Sequence, residues 1–381
     1  MALALELREL GQDARLCVPP DFREWIEGLE IPVVPIGPEL RGTASAGRAR
    51  PTPEQLVQLA RGTVGTQFDV LPAAAEGCDV LVAGGYLLLA ARSVAERAGI
   101  PYVHASYCPI TLPSPHHAPP PHAGWTPSAE AVGHTAQWAE DAQRWNAMWG
   151  DALNFHREAA AMAPVADVRG HVFTGRPWLA ADPTLGPWPG SSDQDVLQTG
   201  AWIMRDERPL PPEIQEFLDA GEPPVYFGFG SVRAPEGLAR VMVDSARALG
   251  RRALVLRGWT DLAPVDEGPD CASIGEINQQ ALFQRVAAAV HHGGSGTTTT
   301  AARAGAPQVV IPQTFDQHYW ARRVGELGIG AAHAPVPPTT ESLTAALTAA
   351  LDPGTAARAR IVAAEIRPDG ARFAAERLIS S

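Results

Sequence analysis

In the last third of the chain, Ala289-Val-His291-His292-Gly293-Gly294-Ser295-Gly296-Thr297-Thr-Thr-Thr300 ends an apolar strand in glycines and opens a hydroxyl-rich helix. Glycines let a backbone approach a ligand closely, and a helix N-terminus presents unpaired N–H groups with partial positive charge. Such a turn holds phosphate or diphosphate. His292 adds a hydrogen-bond donor, and Ser295 and Thr297 add hydroxyls. The same residues would also make an ordinary strand-to-helix turn with a good cap. A second group follows in Ala306-Pro307-Gln308-Val-Val-Ile311-Pro312-Gln313-Thr-Phe-Asp316-Gln317, where an acid and an amide stand side by side just past a strand. That edge is where open α/β sheets bind ligands. Asp316 and Gln317 together offer acceptors and donors suited to the vicinal hydroxyls of a sugar, whereas an acid there on its own reads as a helix cap.

The elements that must position these groups alternate along the chain. Apolar runs predict strands at Ala14–Val18, Val33–Pro35, Val80–Val82, Tyr102–Ala105, Val225–Phe229, Ala253–Leu256, Ala288–His291 and Gln308–Ile311. Helices are predicted between them at Ser93–Ala98, Pro235–Ala248, Thr297–Arg303, Ala321–Glu326 and Ser342–Leu351. This alternation implies an α/β fold with parallel sheets. Long Pro- and His-rich loops mark the first half, and a compact βα rhythm marks the second. The charged, Pro-rich stretch Arg205-Asp-Glu-Arg-Pro-Leu-Pro-Pro212 divides them. The domain reading is therefore 1–204, a linker at 205–222, a second domain at 223–360, and a terminal segment at 361–381.

Composition narrows the chemistry. The 381 residues are 45% hydrophobic, enough for two cores and too apolar for general disorder. Acids outnumber bases by 42 to 30, and a net charge of −12 disfavours nucleic acid as a partner. Cys17, Cys78, Cys108 and Cys271 stand far apart, so they read as buried thiols of a reducing cytoplasm, with no metal or disulfide role. No apolar run is long enough to span a bilayer, and the expected location is cytoplasmic.

The start of the chain departs from a doubly wound domain. Leu3, Leu7 and Leu10 make Met1–Leu10 a helix capped by Gly11, followed by strand Ala14–Val18. A doubly wound domain begins instead with a central strand, and the first helix leaves it. The expectation is that the first strand and the loop after it are missing.

Taken together, His291–Gly330 resembles the donor-binding signature of family 1 glycosyltransferases of the GT-B fold. The resemblance extends to actinobacterial enzymes of natural-product and antibiotic biosynthesis, in particular the vancomycin-class glycopeptide glycosyltransferases. It is carried by Val225-Tyr-Phe-Gly-Phe-Gly230-Ser231, Arg257-Gly258-Trp259 and Gly275-Glu-Ile-Asn-Gln-Gln-Ala-Leu-Phe283. Further upstream it is carried by Phe68-Asp69-Val-Leu-Pro-Ala-Ala-Ala-Glu-Gly-Cys78, by the Pro/His run from Cys108 to Pro121, by Arg176–Asp182 and by Gln198–Trp202.

The resemblance implies two Rossmann-like domains facing a cleft, with the acceptor bound by the first and a nucleotide sugar by the second. Ser231, His292, Gly294, Ser295, Gly296 and Thr297 would bind the donor diphosphate. Gly275 and Ile277 would border the nucleobase, with Trp259 walling that pocket or serving as core. Asp316 and Gln317 would bind the donor sugar, and Pro368–Leu378 would return to the first domain. The reaction implied is hexose transfer with inversion, from a UDP-glucose or UDP-hexosamine type donor to a hydroxyl of a glycopeptide aglycone. No metal or other cofactor is expected, and the protein would act as a monomer. The alternatives are a dTDP-deoxysugar transferase acting on another natural product, a non-catalytic binding protein, and a hexosamine epimerase of the same fold.

In related enzymes the base is an aspartate in the loop after the first strand, so no catalytic residue is identified in this sequence. Asp13 follows the first helix and is no substitute. His104 and His156 are the nominees, although packing roles suit both. The Pro109–Trp125 loop would edge the acceptor site or form a solvated connector. Trp138, Trp145 and Trp149 would be core or an aromatic wall, and Arg41–Pro53 would be a mobile loop.

Overall fold

The computed structural model describes residues 1–41, 52–122, 125–190, 194–230, 237–259, 262, 266 and 268–380. Ser231, the start of the expected Pro235–Ala248 helix and most of the Arg41–Pro53 loop lie outside them. The chain forms two compact units. One comprises Met1–Ala181, Trp188–Met204 and Asp369–Ser381, and the other Asp182–Pro187 and Arg205–Pro368.

The first unit contains α1 (Ala2–Glu9), β1 (Leu16–Val18), α2 (Arg23–Glu27), β2 (Val33–Pro35), α3 (Pro53–Ala74), β3 (Leu81–Gly84), α4 (Ala91–Ala98) and β4 (Tyr102–Ser106). α5 (His134–Ala159), α6 (Val168–Phe173), β5 (Trp178–Leu179) and β6 (Leu197–Gln198) follow. Every pairing is parallel, but the strands form two separate sheets, β1-β2 and β3-β4-β5-β6.

The second unit runs α7 (Pro212–Asp219), β7 (Val225–Gly228), α8 (Leu238–Ala248), β8 (Ala253–Leu256), β9 (Cys271–Ile274), α9 (Gln279–Leu282) and β10 (Ala288–His291). It continues with α10 (Ser295–Arg303), β11 (Gln308–Val310), α11 (Gln317–Glu326), β12 (Gly330–Ala332), α12 (Thr340–Ala350) and α13 (Pro353–Ala363). Its six parallel strands are ordered β12-β11-β10-β7-β8-β9. Side-chain alternation gives this sheet two apolar faces. Phe227, Val255, Val290 and Val309 meet α8 and α12, while Tyr226, Leu254 and Ala289 meet α7, α9 and α10. Residues 205–222, read from the sequence as a linker, fold with this unit. Leu210, Ile214 and Leu218 are core side chains, and Asn278 donates to the carbonyls of Asp206 (3.0 Å) and Arg208 (2.7 Å). Prolines and charges there mask the short amphipathic helix α7.

The chain ends in α14 (Gly370–Ile379), which packs in the first unit. Ala374, Ala375 and Leu378 meet Leu3 and Leu7 of α1 over Val82 and Val103. The two sheets of that unit share their covering helices. On one side α1 touches β1 and β2 through Ala4 and Leu5, and β3 and β4 through Leu3 and Leu7. On the other side Phe68 and Leu71 of α3 join a cluster holding Cys17 of β1 and Ala83 of β3.

Candidate functional site

The two central strands of the second unit's sheet, β7 and β10, lead away in opposite directions, which makes their C-terminal ends a topological switch point. Two glycine turns converge there. A Cβ on Gly230, after β7, would lie 3.7 Å from His292 Cε1, and one on Gly294 would lie 2.8 Å from His292 Nε2. The ring of His292 is thus held between the turns, 6.3 Å from that of Phe229. Its Nδ1 has no hydrogen-bond partner among the described residues. Burial pushes this imidazole down to about 4, so it is neutral at pH 7 and can donate a hydrogen bond without bringing a charge.

Beside it, α10 begins without a side-chain cap, because its N-cap residue is Gly294. The first amides of a helix have no partner within it, so those of Ser295, Gly296 and Thr297 point outward with the positive end of the dipole. Thr298 and Thr299 turn their hydroxyls back onto the carbonyls of Gly294 (2.9 Å) and Ser295 (2.7 Å). The half-buried hydroxyls of Ser295 and Thr297 make no hydrogen bond among the described residues. Gly293 sits at φ +93°, where a Cβ would come within 2.7 Å of Val310 Cγ1, so only glycine fits this turn. The site therefore offers an anion convergent amides, two hydroxyls and one neutral imidazole.

The neighbouring turns close around the first. Trp259 N donates to Gly230 O (3.0 Å), and Gly258 lies so near that a Cβ would be 2.6 Å from that same oxygen. Trp259 is half-buried against the β7 turn, and Gly275 is exposed. Ile277 packs its side chain with the cluster of Leu282 and Phe283, which leaves its backbone for any contact with a ligand.

Asp316 is the N-cap residue of α11 and accepts from Trp320 Nε1 (3.2 Å); burial raises its carboxyl above the usual range. Gln317 is buried, and its amide oxygen accepts from the backbone of Gln313 (2.8 Å) and Thr314 (3.2 Å). That acceptor is committed to shaping the loop, so Gln317 offers a ligand only its NH2 group.

In the first unit the nominated bases are packing groups. His104 is 2% exposed, stacks on Phe173 at 4.6 Å and is pushed by burial down to about 4. His156 stacks on Phe68 at 5.1 Å, and Asp13 lies exposed between α1 and β1. Trp138, Trp145 and Trp149 are all buried on α5, which makes them core.

The Pro/His loop is pinned. Trp138 Nε1 donates to His117 O (2.8 Å), and Tyr86 Oη lies 3.1 Å from His122 Nε2. Beneath it lies a cluster the sequence did not disclose. Asp141, fully buried, pairs with Arg144 (2.7 Å) and Arg169 (3.2 Å), and Arg144 covers the Trp125 ring at 5.3 Å. Its one signal was an acid standing between two of those tryptophans on the same helix. Also missed were His291 and Gln308, both fully buried and hydrogen-bonded to each other behind the β10 turn.

The family model described as the erythromycin biosynthesis protein CIII-like C-terminal domain matches residues 262–372. Over 384 aligned residues the chain is 50% identical to a vancomycin aglycone glucosyltransferase of Amycolatopsis orientalis, covering 100% of this chain and 93% of that protein. It is 43% identical to a dTDP-epi-vancosaminyltransferase of the same organism, over 95% of this chain and 88% of that one. Among solved structures, the glycotransferase of kitacinnamycin matches at a TM-score of 0.72 with 21% identity, over 100% and 94% of the two chains. Glycosyltransferase VinC in complex with dTDP matches at 0.68 with 19% identity, over 99% and 94%.

Proposed function

The chain belongs to the family 1 glycosyltransferases of the GT-B fold, and from that membership we propose that it transfers a hexose from a UDP-sugar to a hydroxyl of a glycopeptide antibiotic aglycone. The observation that carries this reading is the pair of glycine turns at the β7/β10 switch point, beside a helix that begins uncapped. A nucleoside diphosphate suits that convergence of amides. The acceptor class rests on identities of 50% to the vancomycin aglycone glucosyltransferase and 48% to glycosyltransferase GtfC, both of Amycolatopsis orientalis.

In this reaction the acceptor oxygen bonds to the anomeric carbon as the bond from that carbon to the diphosphate oxygen breaks, inverting the centre. The electron pair and the developing charge go to the diphosphate, and the acceptor proton goes to a base. The amides at the start of α10, the hydroxyls of Ser295 and Thr297 and the neutral imidazole of His292 stabilise that charge where it forms. Asp316 accepts from a hydroxyl of the donor sugar, and Gln317 donates to a neighbouring one. Neither a metal nor another cofactor takes part in this scheme.

A dTDP-deoxysugar is the second donor, favoured by the 43% identity to the dTDP-epi-vancosaminyltransferase. Calorimetric titration of UDP and dTDP into the folded protein separates the two, and incubation with the matching sugar nucleotide and a heptapeptide aglycone tests transfer. Tight binding of UDP and a product heavier by one hexose are expected. A folded protein that binds neither nucleotide would overturn the reading.

A further inference from the structure

Behind the β10 turn, two polar side chains interrupt an apolar face. His291 and Gln308 both lie on the side of the sheet that meets α10, on neighbouring strands where Ala289 pairs with Gln308 and His291 with Val310. Neither is exposed to solvent at all. His291 Nδ1 accepts from Gly293 N (3.0 Å), so that nitrogen carries no proton. The proton of the neutral ring is then on Nε2, 2.8 Å from the Gln308 side chain, and Nε2–H requires the amide oxygen to face it. The orientation of the Gln308 amide is fixed by this chain of donors, and its Nε2 is left buried without a partner among the described residues.

That unpaired donor is the informative detail. A buried N–H without a partner costs stability, and an apolar side chain of similar volume would avoid the cost. We infer that Gln308 is a positioning residue for donor binding: through the Nε2–H tautomer of His291 it holds the Gly293 amide, and so the turn that aims the α10 amides at the donor diphosphate. The opposite tautomer would set an N–H of His291 against the N–H of Gly293, and the turn would lose its anchor. Gln308 touches no ligand in this scheme, and its influence reaches the site through two hydrogen bonds. The inference rests on the nucleotide-sugar reading for its functional consequence, though not for the relay itself.

The test is Gln308→Leu, with Gln308→Met as a second variant should the first fail to fold. The variant removes the unpaired buried donor Gln308 Nε2 together with the bond that fixes the His291 tautomer, so its urea midpoint should stay close to that of the wild type. Its affinity for UDP, titrated calorimetrically, should fall about tenfold, the scale of one buried hydrogen bond. In the ligand-free protein, selective 15N labelling of histidine should show His291 with Nδ1 bare and Nε2 protonated, a state the variant loses. Loss of stability with unchanged UDP affinity would overturn the inference, as would a wild-type His291 protonated on Nδ1. Should the folded wild type bind neither UDP nor dTDP, the nucleotide reading falls, and the imidazole spectrum still decides whether the relay exists.

Discussion

His292 is held from both sides, by Gly230 of one turn and Gly294 of its own, and its buried Nδ1 has no hydrogen-bond partner among the described residues. In the proposed reading His292→Ala removes a single hydrogen bond to the diphosphate, about 1–2 kcal/mol, so UDP should bind five- to thirtyfold more weakly by calorimetry. An unchanged affinity would take His292 out of the phosphate site. In the proposed reading Asp316 acts on the sugar, so its substitution should separate binding from turnover. Asp316→Asn keeps an acceptor for Trp320 yet gives up a charge-assisted bond of about 1.5–3 kcal/mol. Transfer, measured as kcat/KM, should drop ten- to hundredfold while UDP affinity holds; a parallel loss of both would show that Asp316 shapes the whole pocket. These two residues were legible from the sequence because each follows a strongly apolar strand. His291 and Gln308 were not, because nothing in sequence spacing shows that adjacent strands bring them to 2.8 Å.

At the scale of elements, legibility followed the length and apolar content of each run. Val33–Pro35, Ala253–Leu256 and Ala288–His291 are the strands β2, β8 and β10 to the residue, and most of them are continuous apolar runs. β9 reads Cys-Ala-Ser-Ile and β12 Gly-Ala-Ala, with too little side chain to announce a strand, and β5 and β6 span two residues each. α3 was hidden by Gly62, Gly65 and Pro72 within it, and α5 showed itself only in its tryptophans. The difference in burial should also be visible in exchange. β1 and β2 form a sheet of only two strands with every residue half-buried, whereas β7 and β10 are fully buried and paired on both sides. A two-stranded sheet is marginal by itself and relies on the helices that cover it. Amides of Leu16–Val18 and Val33–Val34 should therefore exchange at least about tenfold faster than those of Tyr226–Gly228 and Ala289–His291, through local opening. Equal protection would mean that α1 and α3 bind the small sheet as firmly as six-stranded pairing does.

Across the whole molecule, buried histidines set the response to acid. His104, His122, His171 and His292 are all pushed by burial from 6.5 down to about 4, and His291 to about 3. Arg144 adds to the effect at His122 and Arg92 at His171. Between pH 6.5 and about 4 the unfolded chain holds protons that the native rings refuse, so stability rises with pH through that window and is lost as pH falls. For a fully buried ring such as His104 or His291, the loss at pH 5 relative to pH 7.5 is about 2 kcal/mol. Asp316 works the other way, since its raised carboxyl takes up a proton more readily in the native state, but it is one group against five. Carboxylates held down by arginines, such as Asp266 at about 2, give way only below this window. The three rings at positions 104, 122 and 171 lie in the first unit and the two at 291 and 292 in the second, so both units should lose stability together. Urea midpoints should fall steadily from pH 7 to pH 5, and His104→Phe, which keeps the stack on Phe173, should flatten that slope by the share of one ring. A midpoint independent of pH over this range would mean that these imidazoles stay hydrated and free to take up protons in the native state.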